Sequence, residues 1–172
     1  GLPHAMGGGS LVAERQEPTD ITLRAERIRP DGSALPEEAL HGGIGLEGLL
    51  DCFDFSPTPW SEERDKIFRP ASILSERVGG RILELIGPAQ TPYFSIRRIE
   101  CRGELTVKNS SYGVCLVLKG QGLLRAGGIE VSLSPGLELV LPWGVKTHTY
   151  IGKSLEVLEC RGPRPFDCAS GT

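Results

Sequence analysis

The side chains able to do chemistry in this chain are few and scattered. Its three histidines are His4, His41 and His148, and its five cysteines are Cys52, Cys101, Cys115, Cys160 and Cys168. The cysteine count is odd and no two stand two residues apart. A disulfide framework or a zinc knuckle is therefore not expected from the spacing. Reduced thiols in a cytoplasmic protein are the simplest expectation. Cys101, Cys115 and Cys160 lie in apolar runs, where cysteine behaves as a small hydrophobe. A lone histidine falls short of the three or four ligands that a divalent metal requires, so His148 by itself reads as a hydrogen-bonding residue. His41 reads as a buried, hydrogen-bonded histidine beside a helix start, with no assigned role. Gly120-Gln121-Gly122 is not followed by a helical pattern and is not a dinucleotide fingerprint. Arg97-Arg98 and the mixed run Glu62–Lys66 read as solvated faces. Trp60 and Trp143 stand beside prolines and are expected to pack over sheet edges.

These residues have to be positioned by many short elements. Gly 23 and Pro 13 make up about a fifth of the chain, which favours short strands joined by tight turns over a helical bundle. Leu11–Ala13 and Ile21–Leu23 read as strands, and Pro30-Asp31-Gly32-Ser33 as a turn. From Ile44 to Phe53 the period becomes helical, with Leu46, Leu49, Leu50 and Phe53 on one face. Prolines 57 and 59 end that helix, and Ser61 is expected to cap a second one. Strands follow at 81–86, 93–101, 104–107, 112–118, 122–126, 129–133, 138–141, 148–151 and 155–160. Gly127-Gly128 is a two-residue hairpin joint that takes positive φ. Alternation along the strands points Leu116, Leu118, Leu139, Leu141, Leu155 and Val157 inward.

The strand series resembles a cupin, a small double-stranded jelly roll, most of all from Gly120 to Cys160. Metal-binding cupins carry two histidines and a glutamate before the first glycine of that pattern. They carry another histidine three residues after the Pro-x-Gly turn. Here Lys108–Lys119 holds no histidine and no acid. The position three residues after Gly144 is Thr147, and His148 is one residue out, which reverses its face on a strand. The resemblance therefore implies a cupin without a metal site.

The N-terminal segment carries a narrower resemblance. Pro3-His4-Ala5, a Gly-rich turn, Ala13-Glu14-Arg15-Gln16-Glu17-Pro18-Thr19-Asp20 and Thr22-Leu23-Arg24 resemble the class I mannose-6-phosphate isomerases in their two-cupin form. The similarity continues through Leu40-His41, Asp51–Phe55, Tyr93-Phe94-Ser95 and the C-terminal cupin. It implies that His4 matches the family's last zinc ligand and that Arg24 matches the arginine facing the sugar. It also implies that the other zinc ligands lie outside this chain. Zinc is then a cofactor of the full-length protein and is not fully coordinated by this chain alone.

The implied fold is mainly β: a cupin-type double-stranded jelly roll, preceded by two short helices and a few strands from the end of a second, truncated cupin. The implied organisation is the end of a catalytic cupin at 1–40, a helical connector at 41–68, the C-terminal metal-free cupin at 69–165, and a tail at 166–172. The chain begins with Gly1 and its only methionine is Met6, as expected for part of a longer protein with a missing N-terminal catalytic domain. Lys+Arg 19 against Asp+Glu 22 gives a formal charge of -3, which removes the electrostatic case for nucleic acid as the main partner. No apolar run reaches the roughly 20 residues of a membrane span, so no membrane partner is expected. Two readings follow. One is the C-terminal portion of a zinc-dependent isomerase acting on a sugar phosphate, inactive by itself. The other is a stand-alone metal-free cupin acting as a sugar-binding or scaffold module. A homodimer is left open under either.

Overall fold

The computed structural model describes residues 9, 12–14 and 22–163. The chain divides into two compact units, 1–60 and 61–172.

In the first unit the expected turn at 30–33 is present. Gly32 adopts φ 83°, and the Asp31 carboxylate accepts the Ser33 N–H at 2.9 Å and its hydroxyl at 2.7 Å. The turn closes an isolated bridge between Ile28 and Ala34. Two helices follow, α1 (Glu38–His41) and α2 (Gly45–Asp51). The single turn α1 was not expected from the sequence. Residues 12–13 and 22–23 are irregular, where short strands were expected. A strand satisfies its N–H and C=O groups only through a neighbouring strand, and these residues pair with none among the described residues. The rest of both expected strands, Leu11 and Ile21, lies outside the description.

The second unit opens with α3 (Trp60–Ile67), whose first residue belongs to the unit before. It starts two residues earlier than expected, so Ser61 stands in its first turn rather than at its cap. Ten strands follow: β1 (Ser72–Arg77), β2 (Gly80–Ile86), β3 (Ser95–Cys101), β4 (Glu104–Lys108), β5 (Gly113–Lys119), β6 (Gly122–Ala126), β7 (Ile129–Leu133), β8 (Glu138–Leu141), β9 (Thr147–Ile151) and β10 (Leu155–Arg161). They form two antiparallel sheets, in the orders β1-β2-β3-β10-β5-β8 and β4-β9-β6-β7. From β3 onward the chain crosses between the sheets at every step except the β6–β7 hairpin, which is the jelly-roll arrangement. Strand β1 is the one the sequence analysis missed. It is an edge strand with mostly exposed residues, so it lacks the half-buried alternation that marks its neighbours.

The core lies between the sheets. Ile99, Cys115, Tyr150, Leu155 and Val157 have no exposed surface, and Leu105, Val107 and Leu141 are almost fully buried. Leu139 packs against them. The inward face is therefore as expected on β8 and β10, and reversed on β5. Cys115 and Val117 point inward there, while Leu116 and Leu118 are half-buried on the other face. Val114–Leu118 is apolar throughout, so composition cannot set its parity. Pairing sets it, because Val117 stands opposite the inward Val157 of β10.

Two glycines hold the β5–β6 joint close to the β9–β10 joint. A Cβ on Gly120, at φ 80°, would lie 2.1 Å from the Ser154 carbonyl oxygen. One on Gly122 would lie 2.2 Å from that of Ile151. Both positions require a residue without a side chain.

Candidate functional site

In the first unit, Arg24 is exposed and lines a cleft of about 590 Å³ with Glu26, Arg29 and Leu35. Its own segment is irregular and is tied to α1 by one main-chain bond, from the Arg24 N–H to the Leu40 carbonyl at 2.9 Å. His4 lies outside the described residues, so the structure does not bring it together with Arg24. His41 is buried, as expected. Its Nδ1 accepts the N–H groups of Gly43 and Gly45, each at 3.1 Å. That places the ring at the start of α2, on donors a helix leaves unsatisfied.

The second unit encloses a polar cluster in its core. The β9 residues His148 and Tyr150 and the β10 residues Glu159 and Arg161 are all at most 2% exposed. His148 Nε2 donates to Glu159 Oε1 at 2.8 Å, because an ionised carboxylate only accepts. The Tyr150 hydroxyl donates to the same oxygen at 2.9 Å. Arg161 gives Nε and Nη2 to Glu159 Oε2 at 3.0 and 2.7 Å. Its Nη1 reaches Asn109 Oδ1 at 2.8 Å, and Asn109 Nδ2 donates to the Val145 carbonyl at 2.8 Å. The other imidazole nitrogen of His148, Nδ1, is buried and has no partner among the described residues.

Burial pushes the Glu159 carboxyl up, but the His148 hydrogen bond and the Arg161 charge outweigh it and hold the group at about 2. Burial and the Glu159 charge raise the Tyr150 hydroxyl well above its ordinary value. Burial pushes the Cys115 thiol up to about 12, so it is no nucleophile. The cluster is a closed ion pair with every lone pair of Glu159 near a donor. Its His148, Tyr150 and Glu159 are too buried to touch a substrate, and what they do is fix the guanidinium of Arg161.

Sequence reasoning placed His148 in a hydrogen-bonding role and missed Tyr150, Glu159 and Arg161. A signal was present: Leu155 and Val157 were assigned inward, and continuing that alternation puts Glu159 and Arg161 inward as well. Two other expectations need correction. Arg98 pairs with Glu100 at 3.0 Å, and Arg97 is half-buried on the opposite face of β3, so the two do not form one solvated face. Trp60 and Trp143 are 65% and 47% exposed, so neither is buried against a sheet edge.

Among the described residues, no group of three or more His, Cys, Asp and Glu side chains is placed to hold a metal ion. The described residues do not themselves make a zinc site. No helix among them is long and apolar enough to cross a membrane.

The fold defines the class: a mainly β chain built on a cupin-type jelly roll. No family model matches the chain. Among curated proteins it is 24% identical over 159 residues to a mannose-6-phosphate isomerase of Streptococcus mutans, covering 92% of this chain and 45% of that protein. The chain thus spans less than half the length of the relative it matches. Among solved structures it is similar to the mannose 6-phosphate isomerase from Bacillus subtilis, with a TM-score of 0.57 and 18% identity over 80% of this chain and 38% of that one. The resemblance to mannose-6-phosphate isomerases is thereby supported by sequence and by fold.

Proposed function

We propose that this chain is the C-terminal portion of a zinc-dependent mannose-6-phosphate isomerase, which interconverts mannose-6-phosphate and fructose-6-phosphate in the cytoplasm. The observation that carries the reading is the match of nearly the whole chain to less than half of the Streptococcus mutans relative. In this reading residues 1–40 close a catalytic cupin, 41–68 connect, 69–165 form the C-terminal cupin and 166–172 a tail. His4 is one zinc ligand, and the others belong to the domain before it. When bound, zinc would supply Lewis-acid polarisation of the sugar's oxygens. The chain alone is inactive in this reading.

Arg24 is the residue of the described chain assigned to the chemistry. An aldose–ketose isomerisation removes a proton from one carbon and returns it to its neighbour, with negative charge growing on the oxygens between. A guanidinium facing those oxygens stabilises that charge. Arg24 suits this role because it is exposed in a cleft, and its one main-chain tether to α1 does not depend on its side chain. The test is Arg24→Ala in the full-length protein. Turnover should fall on the order of a hundredfold or more, the scale of losing one such stabilising group, while the melting temperature stays put. Unchanged turnover would remove Arg24 from the site.

A further inference from the structure

A second cleft, of about 560 Å³, opens in the jelly roll where β3 and β10 of one sheet approach β4 and β9 of the other. It falls within the roughly 300–1,000 Å³ of small-molecule sites. Four cations line it: Arg97, Lys108, Lys146 and Arg161. Glu84, opposite Arg97 in the β2–β3 register, is the one carboxylate among the described lining residues. Arg161 is offset by Glu159 and Arg97 stands opposite Glu84, so the excess positive charge is that of the two lysines, in a chain whose formal charge is -3.

The base of the cleft is built rather than incidental. Arg161 and Ser111 are 2% and 3% exposed. Arg161 is clamped by Glu159 and Asn109, as described above, and Ser111 Oγ donates to the Pro163 carbonyl at 3.2 Å. The buried His148–Tyr150–Glu159 cluster thus acquires a purpose, which is to hold one wall of this cleft. The rim is charged and less constrained. Lys146 Nζ lies 4.5 Å from the centre of the Trp143 ring. Lys108 and Lys146 make no ion pair among the described residues. The hydroxyls of Ser95, Ser110 and Thr147 add polar partners on the same lining.

We infer that this cleft binds a phosphomonoester carried on a small hydroxylated skeleton. A phosphomonoester carries about 1.5 to 2 negative charges at neutral pH, which matches two uncompensated lysines better than a single carboxylate does. Lysine binds phosphate as a point charge, and hydroxyl-bearing side chains suit the polyol. The inference does not rest on the isomerase reading, because the cleft is built by residues of 61–172 alone.

The test is a titration of the isotopically labelled 172-residue chain, followed by amide NMR, with four probes: inorganic phosphate, glucose 6-phosphate, glucose and gluconate. Phosphate and glucose 6-phosphate should shift the amides of 109–111, 146–147 and 162, with the sugar phosphate binding more tightly. Glucose should shift none of them. In the double variant Lys108→Ala, Lys146→Ala, whose residues are exposed, the dissociation constant should rise at least tenfold with an unchanged melting temperature. Absent shifts at those amides would overturn the inference. So would equal binding of glucose, preference for gluconate, or a double variant that binds as before. Isomerase activity of the full-length protein would be untouched by any of these failures.

Discussion

Glu159 shows how a charge survives in a core. Its carboxylate is 1% exposed and accepts from an imidazole, a phenol and a guanidinium. Breaking such a set from one side leaves the other charge buried and unpaired. Glu159→Gln should therefore cost about 3–5 kcal/mol, as loss of one partner of a buried ion pair does, read by urea unfolding. Tyr150→Phe removes one donor and keeps the ring, so it should cost less, about 1–3 kcal/mol. The pH dependence has a definite sign. The folded-state carboxyl is held below its ordinary value of 4.5, at about 2, so the unfolded chain binds the proton more readily. The stability it contributes is complete above pH 4.5 and drains away as pH falls towards 2. An acid titration of the Glu159→Gln variant should lack that part of the loss in this window.

At the scale of elements, the strands are held by parity. Leu141 is 3% exposed and Val140, its neighbour on β8, is 67% exposed. Leu141→Ala should cost about 2–5 kcal/mol, and Val140→Ala less than about 0.5 kcal/mol. Similar losses at both positions would mean the inward face is misassigned. The same parity explains what was legible beforehand. Nine of the ten strands stood out because Gly and Pro turns bound them and apolar residues alternate within most of them. The edge strand β1 was hidden because an exposed strand has no buried face to imprint on its sequence. The face of β5 was misread because Val114–Leu118 is apolar on both sides, and only its register with β10 resolves it. The charged pair of β10 was missed although its alternation with Leu155 and Val157 pointed inward, because charged residues are seldom buried unless paired. The helix start beside His41, at Gly45, was legible from its neighbours. His41→Ala should cost about 0.5–2 kcal/mol, in line with loss of a helix cap, and the Gly43 and Gly45 amides should exchange faster.

For the molecule as a whole, the jelly roll and the segment before it are two units with different demands. The roll closes its own core and its own charge network. The first unit holds the arginine assigned to chemistry in an irregular stretch beside a short helix. The pattern of identity, with nearly all of this chain matched by under half of its relative, is the reason the isomerase reading places further catalytic residues in a preceding domain. The measurement that tests this most directly is a coupled assay of mannose-6-phosphate conversion to fructose-6-phosphate, with zinc supplied. It is run on this chain alone and on the full-length protein that the isomerase reading proposes. The account predicts turnover by the longer protein and none by the 172-residue chain. Turnover by the short chain, or a silent longer protein that is folded and zinc-loaded, would contradict it.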